Sequence, residues 1–295
     1  MSAKRNIAIM CNPIAGNGKA SKVTEQIVIT LKQKQVAHSV FTFNWPKIWD
    51  QFTDAWIVGG DGTLNNFINQ YPQIQLPLSI FKGGTGNDFH WLVYDDITLD
   101  QQIEKVLNGV PQLVDAGICN EKLFLNGVGI GFDGAVVRDL INKRKSKGKS
   151  AYYLAVIKNI FTYKEQQGNI QSRNKNSKFP APAVPPQKEG ESIFMISVAN
   201  GKRYGGGFLV TPKADITDGL FDVNVVSKVS LLQRLKYLPV IEKGNHTKLQ
   251  FVHYFQTHRV EITFNTKLPA HIDGEYYSAA KFEIQNLPNR FAFMR

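Results

Sequence analysis

The stretch of this sequence best suited to chemistry is Ala55–Asn66, AWIVGGDGTLNN: an apolar run, a glycine-rich turn holding one carboxylate, and the start of a helical pattern. Glycines let a backbone approach a phosphate closely, and the unpaired N–H groups of a helix start attract its charge. Asp61 is a poor neutraliser of phosphate. In such a turn it holds Mg²⁺, accepts a substrate proton, or simply caps the helix. Two more loops share this character. Asn12–Gly18 (NPIAGNG) follows one apolar run and precedes a helical pattern with Lys19 in its first turn, and Lys82–Asp88 (KGGTGND) follows another. Each alone is compatible with a plain turn, but together they favour a phosphate-rich ligand. None has the GxxxxGK[ST] or GxGxxG spacing, so neither a P-loop nor a Rossmann fingerprint is present.

The second half of the chain offers acids rather than glycine loops. Thr211–Val223 (TPKADITDGLFDV) gathers Asp215, Asp218 and Asp222 beside Gly219, an oxygen set for a hard cation or else a tight Asp-Gly hairpin. Asp273-Gly274-Glu275 follows LPAHI; two carboxylates at one turn supply a general base for a hydroxyl nucleophile, or again only a hairpin. Tyr204–Gly207 (YGGG) is a further place for close backbone approach. No HExxH, GxSxG or Cys–His signature is present, and the six histidines are scattered, His90 and His271 included, which suits structural or solvent-facing roles. Cys11 and Cys119 have no CxxC spacing and are expected to be reduced core thiols.

The elements that must position these residues follow from periodicity. Asn6–Cys11, Ser39–Phe43, Ala55–Val58 and Leu78–Phe81 have the composition of buried strands, and Lys19–Gln33, Pro46–Phe52 and Thr63–Tyr71 of helices. Strands alternating with helices imply crossover units and a parallel sheet, whose following loops share one edge. After Gly117 the rhythm changes. Leu123–Val128 is extended, and Asp133–Lys143 and Ser150–Lys164 are helical. From Ser192 the pattern is strands (Ile193–Ala199, Leu220–Val226, Leu249–Phe255, Arg259–Phe264, Lys281–Ile284, Phe291–Met294), broken only by a helix over Leu231–Ile241. The expectation is an α/β domain over residues 1–120 and an antiparallel β-sandwich over 121–286, with a helical insertion at 133–165. Gln166–Gly190, with four prolines, reads as a mobile surface loop.

Composition narrows the classes. With 295 residues, 43% hydrophobic and 20% charged, the chain is globular, and no apolar run approaches the roughly 18–20 residues that span a bilayer. Met1–Lys19 has no signal-peptide stretch, so a soluble, cytoplasmic protein is expected. The net charge of +11 is uneven: residues 1–120 carry 9 basic and 10 acidic side chains, the remainder 26 and 14. Arg138–Lys178 holds 11 basic residues against Asp139 and Glu165. Such a patch suits a polyanion, and the aromatics Tyr152, Tyr153 and Phe161 beside it on an apolar helix favour an anionic membrane surface over nucleic acid.

NPIAG, GGDGT, GTGND, GIGFDG (Gly129–Gly134), YGGG, DGLFD and IDGE, in this order over nearly the whole chain, resemble the diacylglycerol kinase catalytic-domain family, with bacterial diacylglycerol kinases, YegS-like lipid kinases and sphingosine kinases. GGDGT alone is shared with NAD kinases. The resemblance implies an NAD kinase-like α/β ATP-binding domain, a β-sandwich domain, an active-site cleft between them, and return of residues 287–295 to the first domain. It implies that ATP is held by Asn12, Pro13, Ile14, Ala15, Gly16, Thr42, Gly59, Gly60, Gly62, Thr63, Leu64, Asn65, Thr85, Gly86 and Asn87, with Asp61 serving Mg-ATP. A structural Mg²⁺ would fall on Asp215, Asp218 and the Leu220 carbonyl, and Glu275, ahead of Asp273, would be the proton acceptor. The implied activity is ATP- and Mg²⁺-dependent phosphorylation of a hydroxyl of diacylglycerol or a related lipid. Residues 143–165 would hold the enzyme peripherally at the inner face of an anionic membrane, with no nucleic acid partner and with a homodimer left open. A soluble-substrate kinase of the NAD kinase type and a non-catalytic nucleotide or membrane sensor are the alternatives.

Overall fold

The computed structural model describes residues 5–142, 149–172 and 192–295, which divide into two compact units, Met1–Val114 with Asn289–Arg295, and Asp115–Pro288. The expected boundaries, after residues 120 and 286, thus fall a few residues from those of the compact units.

In the first unit the elements are β1 (Asn6–Cys11), α1 (Lys19–Gln33), β2 (Ala37–Phe41), β3 (Asp54–Gly59), α2 (Asp61–Gln70), β4 (Leu78–Lys82), α3 (Asp88–Tyr94) and α4 (Leu99–Asn108). The strands run parallel in the order β2-β1-β3-β4. Phe293, near the chain's end, runs parallel beside Leu78. The β3 strand is buried throughout and β1 nearly so, which is why both are continuous apolar runs rather than alternating ones. Helix α1 covers them with Ala20, Thr24, Ile27 and Leu31, a stripe at intervals of three and four. Arg5 pairs with Asp54 at 2.7 Å and donates to the Val106 carbonyl at 3.0 Å, fixing the start of β3. The chain leaves β1 in one direction for β2 and leaves β3 in the other for β4. The loops after β1 and β3 therefore emerge where the strand order reverses, the position at which open α/β sheets bind ligands.

Pro46–Phe52 does not form the expected helix. Seven residues after a proline are too few to nucleate one on their own. Trp49 instead packs edge-on against Tyr71 (5.0 Å between ring centroids) and Phe67 (5.8 Å) at the end of α2. Two helices escape the periodicity reading. Helix α3 has only seven residues, and α4 buries just Gln102, Ile103 and Val106 behind a Thr98–Gln101 capping box.

The second unit contains β5 (Pro111–Cys119, entering from the first unit), β6 (Lys122–Phe124), β7 (Gly127–Gly131), α5 (Phe132–Asn142), α6 (Lys149–Thr162), β8 (Gln166–Ser172) and β9 (Ser192–Ala199). It continues through β10 (Phe221–Ser227), α7 (Leu231–Glu242), β11 (Val252–Thr257), β12 (Arg259–Ile272) and β13 (Glu275–Met294), whose last residues return to the first unit. Pairing is antiparallel: β11-β10-β9-β7-β12-β13, with β7 and β8 end to end along one edge of β12. One face carries a core of Phe124, Ile196, Val198, Phe221, Val223 and Phe282 among others. The opposite face packs Phe132, Val156, Phe194 and Met195 beneath α5 and α6. The expected loop at Gln166–Gly190 begins as strand β8, because Ile170 is buried opposite Ile262 on β12. Its proline-rich remainder, from Arg173, lies outside the described residues, as do the side chains of the basic run Lys143–Lys149. Lys281–Ile284 and Phe291–Met294 belong to one long strand, β13.

Candidate active site

In the first unit the three glycine loops meet backbone to backbone. Gly83 N–H donates to the Gly59 carbonyl at 2.8 Å, and Asp61 N–H to the Gly86 carbonyl at 3.1 Å. The Asn12 amide donates to the Thr63 hydroxyl at 3.1 Å, joining the loop after β1 to the first turn of α2. The glycines are there because nothing larger fits: a Cβ on Gly60 would lie 2.5 Å from the Gly86 carbonyl oxygen, and one on Gly84 2.3 Å from the Gly60 Cα. Gly16 adds a positive φ of 56° to a 2.4 Å approach to the Gly83 oxygen. Just beyond, α1 opens with Lys19 and has no acid in its first turn. A fifteen-residue helix start with a lysine and no carboxylate, beside tightly apposed glycine backbones, fits a polyphosphate. Thr42 follows β2, the strand beside β1, while Pro13, Ile14, Ala15, Gly62, Leu64, Asn65, Thr85 and Asn87 lie in or just after the three loops.

Asp61 is committed within this arrangement. Its two carboxylate oxygens accept from the N–H groups of Asp88 (2.9 Å) and Phe89 (3.0 Å), so it caps α3, 27 residues further along the chain. Asn87 closes the same loop through Gly84, accepting from its N–H at 3.2 Å and donating to its carbonyl at 2.9 Å. His90, next on α3, is buried against Gln102 and held neutral, its pKa lowered to about 4 by burial.

In the second unit the IDGE turn separates its two acids. Asp273 is buried in the left-handed region (φ 49°), and its carboxylate accepts from the N–H groups of Leu125 (2.8 Å), Asn126 (2.9 Å) and Gly127 (2.9 Å). Glu275 is exposed, and among the described residues its carboxylate makes no hydrogen bond or ion pair. Behind the turn, buried His271 stacks edge-on against Tyr204, whose hydroxyl bonds Asp133 at 2.5 Å and shares a 2.6 Å bond with Ser197. Burial pushes the Asp133 carboxyl up to about 6.

The DGLFD turn brings acids together. Asp215 caps its own turn through the Thr217 N–H (2.9 Å), Asp218 accepts from the Leu220 N–H (2.9 Å), and Asp115 accepts from the Gly219 N–H (2.6 Å). Burial first, and then the charges of Asp222, Asp215 and Asp115, raise the Asp218 carboxyl above the usual carboxylate range. Asp222 is raised by its own burial, against hydrogen bonds from Tyr254 and Gln256 that lower it. Among the described residues no three His, Cys, Asp or Glu side chains already converge as a metal cage. The chemistry nevertheless fits a hard cation, which would relieve the mutual repulsion of these acids. The sequence motif already groups Asp222 with Asp215 and Asp218; Asp115 is the residue here that it misses, since nothing in the sequence ties Asp115 to Gly219.

A glycine-loop nucleotide edge on a parallel sheet, followed by an antiparallel domain with acidic turns, defines a class that comparison identifies. The diacylglycerol kinase catalytic domain matches residues 6–119, and the YegS C-terminal NAD kinase beta sandwich-like domain matches residues 126–295. The chain belongs to the family these two domains define. It is 29% identical over 244 residues to a Shewanella frigidimarina protein named "Probable lipid kinase YegS-like", covering 81% of this chain and 75% of that one. It is 25% identical over 306 residues to the diacylglycerol kinase of Mycobacterium tuberculosis, covering 98% and 94%. A crystal structure of a diacylglycerol kinase from Bacillus anthracis shares the fold with a TM-score of 0.72 at 20% identity, covering 100% of this chain and 97% of that one. Yeast NADH kinase shares it more distantly, at 0.54 and 11%, covering 99% and 83%.

Proposed function

We propose that this protein is a lipid kinase that transfers the γ-phosphoryl group of ATP, with Mg²⁺, to a hydroxyl of diacylglycerol or a related lipid at an anionic membrane surface. The observation that carries the reading is the set of three interlocked glycine loops at the reversal of strand order. The names of the relatives supply the acceptor class. Asn12–Gly16, Gly59–Asn65 and Thr85–Asn87 would cradle the triphosphate through their backbone N–H groups, Pro13 shaping its loop without donating, with Thr42 beside them. Asp61 acts by fixing the loop after β4 against α2, whatever further contact it makes to Mg-ATP. Glu275 takes the proton of the lipid hydroxyl as its oxygen forms the bond to the γ-phosphorus and the bond to the ADP oxygen breaks. Asp273, spent on three backbone N–H groups, shapes the turn that presents Glu275. Asp215, Asp218 and the Leu220 carbonyl would hold the structural Mg²⁺. Residues 143–165 would meet the membrane, consistent with Leu154, Ile157 and Phe161 exposed on α6.

The test offers purified protein labelled ATP with micelles of diacylglycerol, ceramide, a sphingoid base, monoacylglycerol or phosphatidylglycerol, and NAD in a parallel reaction. Labelled lipid in the presence of Mg²⁺ is expected. Labelled NAD with no labelled lipid would establish the soluble-substrate kinase instead, and tight ATP binding without turnover of any acceptor would establish a sensor.

A further inference from the structure

The first unit has a recess on the opposite edge of its parallel sheet from the glycine loops. Its lining comes from the segments that enter β3 and β4, within residues 47–52 and 72–76, and from Gln70 and Tyr71 where α2 ends. Parallel strands send the loops that follow them to one edge and receive the loops that precede them at the other. Helix α2 begins in the GGDGT loop and ends at the recess, so its ten residues separate the two places by about 15 Å. The recess has a volume of about 490 Å³, within the roughly 300–1,000 Å³ of small-molecule sites.

Its aromatic walls have local causes. Pro72 disfavours helical backbone at the residue before it, and Tyr71 leaves the helix there with φ −125° and ψ 62°. The chain then turns, with the Ile74 N–H donating to the Tyr71 carbonyl at 3.1 Å, and buries Ile74. From the other side Trp49 packs edge-on against Tyr71 and against buried Phe52, at 5.0 and 6.2 Å between ring centroids. Rings locked against one another in this way present a preformed flat space, and a ligand entering it orders little that is not already ordered.

The polar groups define what could fill that space. Gln70 donates to the Tyr71 hydroxyl at 3.1 Å and Gln75 to the Gln73 carbonyl at 3.2 Å, while the Gln73 side-chain oxygen accepts from Arg290 at 3.1 Å. Among the described residues each of these carboxamides keeps one end uncommitted: an oxygen on Gln70 and on Gln75, an NH₂ on Gln73. The Trp49 indole N–H is buried without a hydrogen-bond partner. An unsatisfied buried donor is costly, and a ligand that brings an acceptor against it removes that cost. Donors and acceptors side by side, next to aromatic faces, match the edge of a nitrogen heterocycle, which glutamine reads with both ends of its amide.

Charge argues for an uncharged ligand. Lys47 and Asp50, both exposed, are the charged lining residues and cancel in sum. Arg290, which approaches from the chain's last segment, is engaged by the Pro72 carbonyl and Gln73. No helix start faces the recess, since α2 ends there rather than begins. A triphosphate would therefore find none of the features that the glycine loops offer it.

We propose that this recess is a binding site for a planar, uncharged nitrogen heterocycle of nucleobase size, taken as the free base or nucleoside. Its occupant is neither phosphoryl donor nor competitor of the donor, because the glycine loops lie at the far edge of the sheet.

The experiment titrates full-length protein with adenosine, inosine, cytidine, uridine and nicotinamide, followed by saturation-transfer NMR of the compound and by indole fluorescence of the protein. A saturating non-hydrolysable ATP analogue with Mg²⁺ is present throughout, so that a nucleoside cannot enter the triphosphate site. Binding of at least one compound with a Kd below about 1 mM is expected. Gln75→Trp fills the recess from an exposed position and should weaken that binding about tenfold. Trp49→Phe keeps a ring in the wall but removes the N–H, and should weaken it about three- to tenfold. Phenol, planar but without the nitrogen edge, should bind at least about tenfold more weakly than the best heterocycle. Binding by none of the five compounds overturns the site, and so does binding that Gln75→Trp leaves unchanged, which would put the compound elsewhere on the protein. Phenol binding as tightly as the heterocycles overturns the proposed chemical class. None of these readouts depends on whether a lipid is phosphorylated.

Discussion

The two acids of the IDGE turn are expected to fail in opposite ways when each is replaced by its amide. Asp273→Asn keeps one acceptor oxygen, enough for the bonds from Asn126 and Gly127, but turns an NH₂ group towards the Leu125 N–H. A lost charge-assisted bond and an unsatisfied buried donor together cost about 3 kcal/mol. For a unit of this size that is a fall of roughly 6–12 °C in Tm. Asp273→Ala costs more, since alanine must also hold the left-handed φ of 49°. Glu275→Gln sits on the surface and should shift Tm by less than about 2 °C. Its kcat should drop roughly 10²–10⁴-fold with Mg-ATP affinity intact. The measurements are thermal denaturation of both variants and kcat taken well below the lower Tm. A parental Tm for Asp273→Asn combined with a loss of kcat greater than that of Glu275→Gln would reverse the two roles. Parental kcat in both would reduce the turn to a hairpin.

Asp61→Ala should lose stability as well as activity, by about 1–2 kcal/mol, because it uncaps α3; a parental Tm without nucleotide refutes the capping role. Gly60→Ala drives a methyl into the Gly86 carbonyl and the Gly84 Cα, neither of which is a movable side-chain end, so ATP affinity by calorimetry should fall about tenfold or more. Mg²⁺ should raise the Tm of the parent but not of Asp218→Asn, and chelator-insensitive melting of the parent argues against the structural ion. Asp133 is an acid whose folded pKa is raised, to about 6, so the folded state binds its proton more tightly than the unfolded chain does. Its contribution is greatest below about pH 4 and is lost as pH rises through about 6; Asp133→Asn should therefore melt above the parent at pH 7.5, with the gap closing towards pH 4. A gap independent of pH would show that Asp133 is not protonated on folding.

How much was legible in the sequence depended on how local each cause was. The buried strands β1, β3 and β4 and the helix Lys19–Gln33 announce themselves through their own residues, and the three glycine loops through their own composition. The Pro46–Phe52 segment misleads because Trp49, like the preceding Trp45, packs on Phe67 and Tyr71 at the end of a later helix, a tertiary cause that periodicity within seven residues does not contain. Strand β8, QQGNIQS, is polar because only Ile170 faces the core, so it lacks the apolar alternation that marks a strand. The outer leucines of α7, Leu231, Leu232 and Leu235, are ordinary in sequence, and only the structure shows them exposed.

The acids illustrate the same point at the site. Asp61 and Asp273 stand in turns where a carboxylate suggests chemistry, and Asp115 in the buried strand β5; each accepts backbone N–H groups from a distant segment: Asp88 and Phe89, Leu125 to Gly127, and Gly219. Sequence spacing cannot separate the two uses, since the partners lie 27 and 28, 146 to 148, and 104 residues away. Geometry can. A carboxylate that holds a loop's shape through two or three N–H bonds has its lone pairs occupied, and taking up a proton there would cost those bonds. An acid that must accept a proton from substrate needs free lone pairs and an approach from solvent. Glu275, at the tip of the turn that Asp273 braces, meets that requirement among the motif acids. On the proposed mechanism the bracing acid and the reacting acid are parts of one device: Asp273 spends its charge on rigidity, and Glu275, two residues on, would be held in place with its carboxylate open to substrate.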